Sequence, residues 1–409
     1  MLLDALLLQL GYNATLVAIG AALLGTAAGI TGTFLFLRKR ALVSDAVSHA
    51  TLPGVCIAFL LMAFLGGDGR NLAGLLLGSA VSAGLGLWCM NWLTRNTRLA
   101  EDAAIGAVLS VFFGFGMVLL TVIQTLGVGR QAGLEGFLLG STAGMLYSDA
   151  LVIAAGGAVT LLLVLLTRRP MTLVAFDPEY AAARGLPVER IDLLMMGLVM
   201  AVTVVGLKIV GLILIVALLI IPAVTARFWT ERSDQVVLLA GLFGGVAAYI
   251  GAALSAAAPN LPTGPIIVLV SFAFFALSLF LAPNRGVLAA VLRHLRFQRR
   301  VHLRQGLLAL AQGQAIYEGL TLRLLRRAGL VRADGVATTR GRARAAKALR
   351  DEKRWEVVRA DMAHEAAAAL YDGLRDIETV LTQDQILDID RRIGGRIDGR
   401  IDGPGEVLS

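Results

Sequence analysis

The stretch RKRALVSDAVSHATLPGVCIAFLLMAFL, residues 38–65, decides how the chain is read. Three consecutive cations, Arg38, Lys39 and Arg40, open it, and an apolar run long enough to cross a bilayer follows. About 20 apolar residues span roughly 30 Å of hydrocarbon. Cations at such a boundary mark the cytoplasmic edge of a membrane helix. Two ionisable residues interrupt the run. Asp45 and His49 are four apart, so on a helix they share one face, one turn above the other. At 1.5 Å per residue from Arg40, Asp45 lies roughly 7–8 Å and His49 about 13–14 Å into the membrane. A charged group at such depth costs at least about 2.5–3.5 kcal/mol unless it is paired or hydrated.

Carboxylate plus imidazole is a ligand set for a first-row divalent metal. Pro53, four residues beyond His49, has no N–H for the His49 carbonyl. It is therefore expected to break the helix beside the site, as transporters do when they expose carbonyls at mid-membrane. Ser44 and Ser48 flank the pair. The competing reading is a mutually satisfied Asp–His pair that only ties helices together.

The same pattern extends outward. The chain has 409 residues, 57% hydrophobic and 16% charged, with mean hydropathy +0.76. That is too little charge to cover a soluble surface. Apolar segments fall at 14–37, 42–65, 72–93, 103–126, 148–167, 191–206, 209–226, 236–257 and 264–282. A shorter stretch, 133–147, is a candidate re-entrant segment. The expected fold is an all-α polytopic membrane protein of about nine transmembrane helices, eight being admissible. Only Leu207-Lys208 separates two of the segments. Threaded nine times with the N-terminus outside, the cytoplasmic connections hold 11 Lys and Arg and the external ones 3. That bias sets the orientation and puts the C-terminal region in the cytoplasm. Asp4 stands where a signal peptide would be basic, so no cleavable leader is expected. Cys56 and Cys89 lie in apolar runs and read as buried hydrophobes.

The connection RRPMTLVAFDPEYAAARGLPVER, 168–190, is long for this chain. Asp177 reads as an N-cap, Pro178, Glu179 and Tyr180 as the first turn of a short helix, and Gly185 as its C-cap. A rigid cytoplasmic helix there suits coupling to an ATPase. None of the chain's lysines follows a glycine, so the phosphate-loop pattern GxxxxGK[ST] is absent. The chain is read as a transport subunit and not an enzyme, with ATP hydrolysis on a separate chain. Glu101 and Asp102 open the fourth segment, where acids complement a helix N-terminus. They also stand as a possible metal exit. Glu135 and Asp149 read as solvated, and Lys208 as snorkelling to the outer interface.

These motifs resemble the metal-specific ABC permeases, the zinc, manganese and iron importers of bacteria. The resemblance rests on RKRALVSDAVSHATLPGV, EDAAIGAVLS (101–110), FDPEYAAARGLPVERIDLL (176–194), VGLILIVALLIIPAVTAR (210–227) and LPTGPIIVLV (261–270). It implies a dimer with a second copy or a paralogue, two cytoplasmic ATPase subunits and an extracytoplasmic metal-binding protein. It also implies that Asp45 and His49 line the metal site and that the helix around Asp177–Gly185 couples to the ATPase. No permanently bound cofactor is expected, only transported Mn, Zn or Fe. Two alternatives stand beside this reading: a membrane-anchored metal-responsive regulator, and an ion-coupled secondary transporter.

Composition changes after residue 285. Residues 1–284 carry 14 basic and 13 acidic side chains, and residues 285–409 carry 23 and 16. We divide the chain into a permease domain, 1–285, a cytoplasmic domain, 286–393, and a disordered tail, 394–409, with its RIDG repeat. The cytoplasmic domain resembles part of the winged-helix repressors that sense iron or manganese. Helix 319–328 takes the recognition position, and Leu330–Val331 and Val336–Thr338 the wing strands. Where those repressors place histidine ligands, this chain has Glu352, Tyr371 and Thr379, so the sensing site is largely lost. Nucleic-acid binding is not expected. Anionic lipid headgroups beside a tethered basic tail account for its charge.

Overall fold

The computed structural model describes residues 9, 11–66, 71–126, 147–257, 261–361 and 365–398. Its chain divides into two compact units, Met1–Ala289 and Ala290–Ser409. The first contains α1 (Tyr12–Leu37), α2 (Ala41–Phe64), α3 (Leu72–Asn96), α4 (Glu101–Leu126), α5 (Tyr147–Phe176), α6 (Pro178–Ala183), α7 (Val188–Val210), α8 (Leu212–Trp229), α9 (Ser233–Ala257) and α10 (Thr263–Leu281). Among the described residues, eight helices are long and apolar enough to cross a membrane, and Ile215–Trp229 in α8 is a shorter apolar stretch. The segment 133–147 lies outside the described residues except for Tyr147, as do Glu135 and the side chain of Asp149.

Small residues place α1 at the centre of this unit, packed against α9, α8, α5 and α7. A Cβ on Gly25 would lie 2.3 Å from the Gly244 carbonyl, and one on Gly29 2.2 Å from that of Ala240. In lipid, where apolar faces gain nothing by meeting each other, such close backbone approach supplies the attraction. α2 packs in turn on α3 and α4. The outer helices leave large apolar side chains uncovered, among them Leu77, Val111, Leu162 and Leu166. On a water-soluble protein this would be an aggregation hazard, and here it is the lipid face.

Two expectations are corrected. The interruption near 207 falls instead at Gly211, because α7 is helical through Lys208 to Val210. Gly211 adopts φ 82° and ψ 170°, a region essentially reserved for glycine. Pro53 does not break its helix either, since α2 is continuous from Ala41 to Phe64. One missing N–H in a membrane helix is tolerated where neighbouring groups adjust.

α11 (Val287–Ala311) starts at the end of the first unit and runs on into the second, which also holds α12 (Gly319–Arg327), α13 (Thr339–Ala360), α14 (Glu365–Ala368), a 3-10 turn (Ile377–Thr379) and α15 (Gln383–Asp398). Leu303, Leu307 and Leu310 of α11 pack on Leu325, Leu330 and Val331. The expected wing strands reduce to one antiparallel bridge, Val331 to Ala337, at a hairpin turned by Gly335 at φ 87°. The arms are too short to build a ladder. The Thr338 hydroxyl caps α13 by accepting from Gly341 N. A second cluster gathers Trp355, Val358, Ile377, Leu381, Ile386 and Ile389. Helix α15 runs on to Asp398, past the expected end of order at Ile393.

Candidate metal site

Asp45 and His49 stand on α2 where the i, i+4 spacing puts them, with His49 Nε2 3.4 Å from Asp45 Oδ1. That is a loose contact, beyond ordinary hydrogen-bond length. The Asp45 side chain is 39% exposed and that of His49 18%. The other ring nitrogen, Nδ1, is buried and has no hydrogen-bond partner among the described residues. Phe113 of α4 meets the imidazole edge-on, with centroids 4.8 Å apart. The loose contact and the unpartnered Nδ1 leave donor atoms of both groups uncommitted. The donor set also suits a divalent ion: one hard carboxylate and one imidazole.

The flanking hydroxyls turn to the helix backbone. Ser44 Oγ donates to the Ala41 carbonyl at 2.7 Å, and Ser48 Oγ to that of Ser44 at 2.8 Å. Pro53 withholds an N–H from the His49 carbonyl inside the unbroken helix. Among the described residues no three His, Cys, Asp or Glu side chains converge. As ligands, Asp45 and His49 would supply two donors, fewer than the four or more that such ions take. Cys56 is buried and Cys89 half-buried, both as free thiols.

The end of the bundle at Arg40 is an ion-pair network. Asp192, in the first turns of α7, receives Arg38 at 2.7 Å and Arg40 at 2.7 Å. Arg40 also meets Glu101 at 2.6 Å. Glu101 is therefore held by a cation, while Asp102 stays exposed one residue on. The sequence reading did not single out Asp192. Its signal was an acid placed level with the cationic trio. Arg95 and Glu189 add an exposed pair at 3.2 Å.

On the same end, α6 forms as its caps dictate. Asp177 Oδ1 accepts from Tyr180 N at 2.8 Å, and Pro178 opens the first turn. Gly185, at φ 79°, ends the helix by donating to the Ala182 carbonyl at 2.9 Å. Ala181 points inward to Met171, Val174 and Ile191, a cluster that fixes the helix to α5 and α7. Glu179 and Tyr180 are left on the exposed side.

Residues 12–282 match the model of the ABC 3 transport family, and the chain belongs to that family. It is 43% identical over 308 residues to the manganese transport system membrane protein MntC of Bacillus subtilis, covering 75% of this chain and 70% of that protein. It is 42% identical over 294 residues to the zinc transport system membrane protein TroC of Treponema pallidum, covering 72% and 96%. Among solved structures, PsaBC from Streptococcus pneumoniae in complex with Fab superposes with a TM-score of 0.60 at 31% identity, covering 69% of this chain and 96% of that one.

Proposed function

Starting from membership of the ABC 3 transport family, we propose that this chain is the permease subunit of an ATP-driven importer for manganese or zinc, working by alternating access. The relatives described above are named for manganese and zinc transport, which supports these two ions. The carrying observation is the Asp45–His49 pair with its orphaned Nδ1 on a membrane helix. A binding protein outside delivers the ion to the outer mouth. Asp45 and His49 take it from water, and further ligands complete the shell, with a second permease subunit the natural source. ATP hydrolysis on a separate chain moves α6, whose exposed Glu179 and Tyr180 are the contact surface. Release follows at the end where Arg38, Arg40, Glu101 and Asp192 meet. The bias of 11 to 3 basic residues supports this end being cytoplasmic.

The regulator alternative is disfavoured by the second unit, where Glu352 accepts from Tyr371 and Arg304 instead of standing ready for a metal. Proteoliposomes with the ATPase and binding protein test the proposal. ATP-dependent Mn or Zn uptake is expected from wild type and lost in Asp45→Ala and His49→Ala with the complex still assembled. Normal uptake in both variants makes the pair structural. Uptake without the ATPase favours the secondary transporter.

A further inference from the structure

Helices α3 and α7 approach each other within the bundle, where a Cβ on Gly84 would lie 4.0 Å from Met200 Sδ. Nearer the end that carries Asp192, a cavity of about 360 Å³ opens between them. Trp88, Asn91 and Trp92 of α3 form one wall, and Arg190 and Leu193 of α7 line the other. Both acids at this cavity are already held. Asp192 takes Arg38 and Arg40, and Glu189 meets Arg95. The donors are not. Among the described residues, no hydrogen bond or ion pair engages the Arg190 guanidinium, the Asn91 amide or either indole N–H. An unpaired cation beside uncommitted N–H groups suits an anion with several acceptor oxygens, such as a phosphate ester.

Helix α3 specifies the rest of the ligand. Leu77, Val81, Leu85, Trp88 and Trp92 recur at four- and three-residue spacing, so they share one face. Each of them is half-exposed or more. This apolar strip runs along a membrane helix and leads into the cavity. Tryptophans one turn apart near the end of such a helix mark the level of the lipid headgroups. A soluble phosphate would use the donors and leave the strip idle. A phospholipid uses both, and basic pockets between membrane helices are where acidic headgroups are held. With both acids occupied, the ammonium of a zwitterionic headgroup finds no partner here.

We infer that the cavity between α3 and α7 is a binding site for an anionic phospholipid. The phosphate takes the Arg190 guanidinium and the Asn91 amide between the two indoles, and an acyl chain lies along Leu85, Val81 and Leu77. The bound lipid ties α3 to the first turns of α7. Its binding is independent of the metal carried and of the ATPase.

The test uses the purified full chain in detergent, with phosphatidylglycerol, phosphatidylcholine or inorganic phosphate added in turn. Native mass spectrometry counts bound lipid, and thermal unfolding measures the stabilisation. One phosphatidylglycerol should bind about tenfold tighter than phosphatidylcholine, as one charge-assisted hydrogen bond implies, and should raise the unfolding temperature. Arg190→Gln should abolish that preference. Arg190 is exposed and unpaired, so this variant should unfold like wild type without lipid. Asn91→Leu, on the opposite wall, should weaken binding independently. Arg169→Gln removes the same charge from an exposed position on α5 and should keep the preference. Equal binding of the two lipids overturns the inference. So does an equal loss in Arg169→Gln, which would make the preference a property of the whole basic end. Stabilisation by inorganic phosphate alone would reassign the cavity to a soluble anion, and a lipid-free dimer would mean that a second copy fills it.

Discussion

Arg40 Nη1 lies 2.7 Å from one oxygen of Asp192, and Arg38 Nη2 lies 2.7 Å from the other. One carboxylate at the start of α7 thus holds both arginines of the turn between α1 and α2. The side chains of Asp192 and Arg38 are only 16% and 13% exposed. Removing one partner of a fully buried pair costs about 3–5 kcal/mol, and an exposed pair contributes under about 1 kcal/mol. Asp192→Asn should fall between, near roughly 2–3 kcal/mol, and lower the unfolding temperature of the purified permease. Asp192→Glu should recover most of it. An unchanged melting curve for Asp192→Asn would show that both arginines find other acceptors.

The loose contact between Asp45 and His49 separates stability from function. At 3.4 Å the Asp45–His49 contact is beyond ordinary hydrogen-bond length and too loose to hold the helix in place. Asp45→Asn and His49→Gln should therefore melt close to wild type. Losing a residue that merely supports a metal ligand typically lowers affinity about 10–100-fold, and losing the ligand itself should do no less. Calorimetric titration of the assembled transporter with Mn or Zn checks this. A large loss of stability with unchanged metal affinity would assign the pair to helix packing.

What was legible in the sequence was local. Apolar runs marked the membrane helices, because spanning length and the absence of charge are properties of single segments. Asp177 and Gly185 marked α6, because caps act within one turn. Asp192 stayed hidden because its partners are 152 and 154 residues away, and nothing in its own neighbourhood calls for them. A lysine in an apolar run looks like a boundary, yet the backbone stays helical through Lys208, and the break waits for a glycine that can take φ 82°. Pro53 looked like a break because one hydrogen bond is lost there, but the packing of Thr51, Leu52, Val55 and Cys56 on both sides outweighs it. The wing strands had the right residues but too few of them to form a ladder.

Asp177 offers a test of coupling that leaves the bundle intact. Its carboxylate accepts from Tyr180 N at 2.8 Å, and removing such a cap costs about 0.5–2 kcal/mol of local helix stability. Asp177→Ala should hardly move global melting, yet it should weaken metal-stimulated ATP hydrolysis by the assembled transporter. Asp177→Ser, which still caps, should keep most of the stimulation. Equal behaviour of the two variants would mean that cap geometry is irrelevant to coupling.

The second unit should loosen in acid. Asp390 accepts from Arg354 at 2.7 and 2.6 Å, which holds its carboxyl below the usual 3.8. Burial pushes Glu352 up, but hydrogen bonds from Tyr371 and Arg304 outweigh it and keep it below 4.5. A carboxyl whose folded pKa is depressed contributes stability that is complete above its unfolded pKa and is lost as pH falls through the folded one. Asp351 acts in the opposite sense, since burial raises it, and offsets part of the loss. Hydrogen exchange in α13 and α15, corrected for intrinsic rates, should show protection falling as the pH drops below about 4. Asp390→Asn should make that dependence shallower. An identical acid slope would remove Asp390 from the account.

Two glycines of α7 make a matched pair. Gly211, just past its end, sits at φ 82° and ψ 170°, a conformation that costs any other residue about 1–3 kcal/mol. Gly197 lies within the helix, and a Cβ there meets nothing within 4 Å. Alanine at 197 removes glycine's helix penalty of roughly 0.5–1 kcal/mol, so Gly197→Ala should melt at or slightly above wild type. Gly211→Ala should melt lower and reduce uptake, because α7 and α8 can no longer separate where they do. If the two variants unfold alike, the break between α7 and α8 is imposed by the packing of the surrounding helices, and the conformational freedom of Gly211 does not set it.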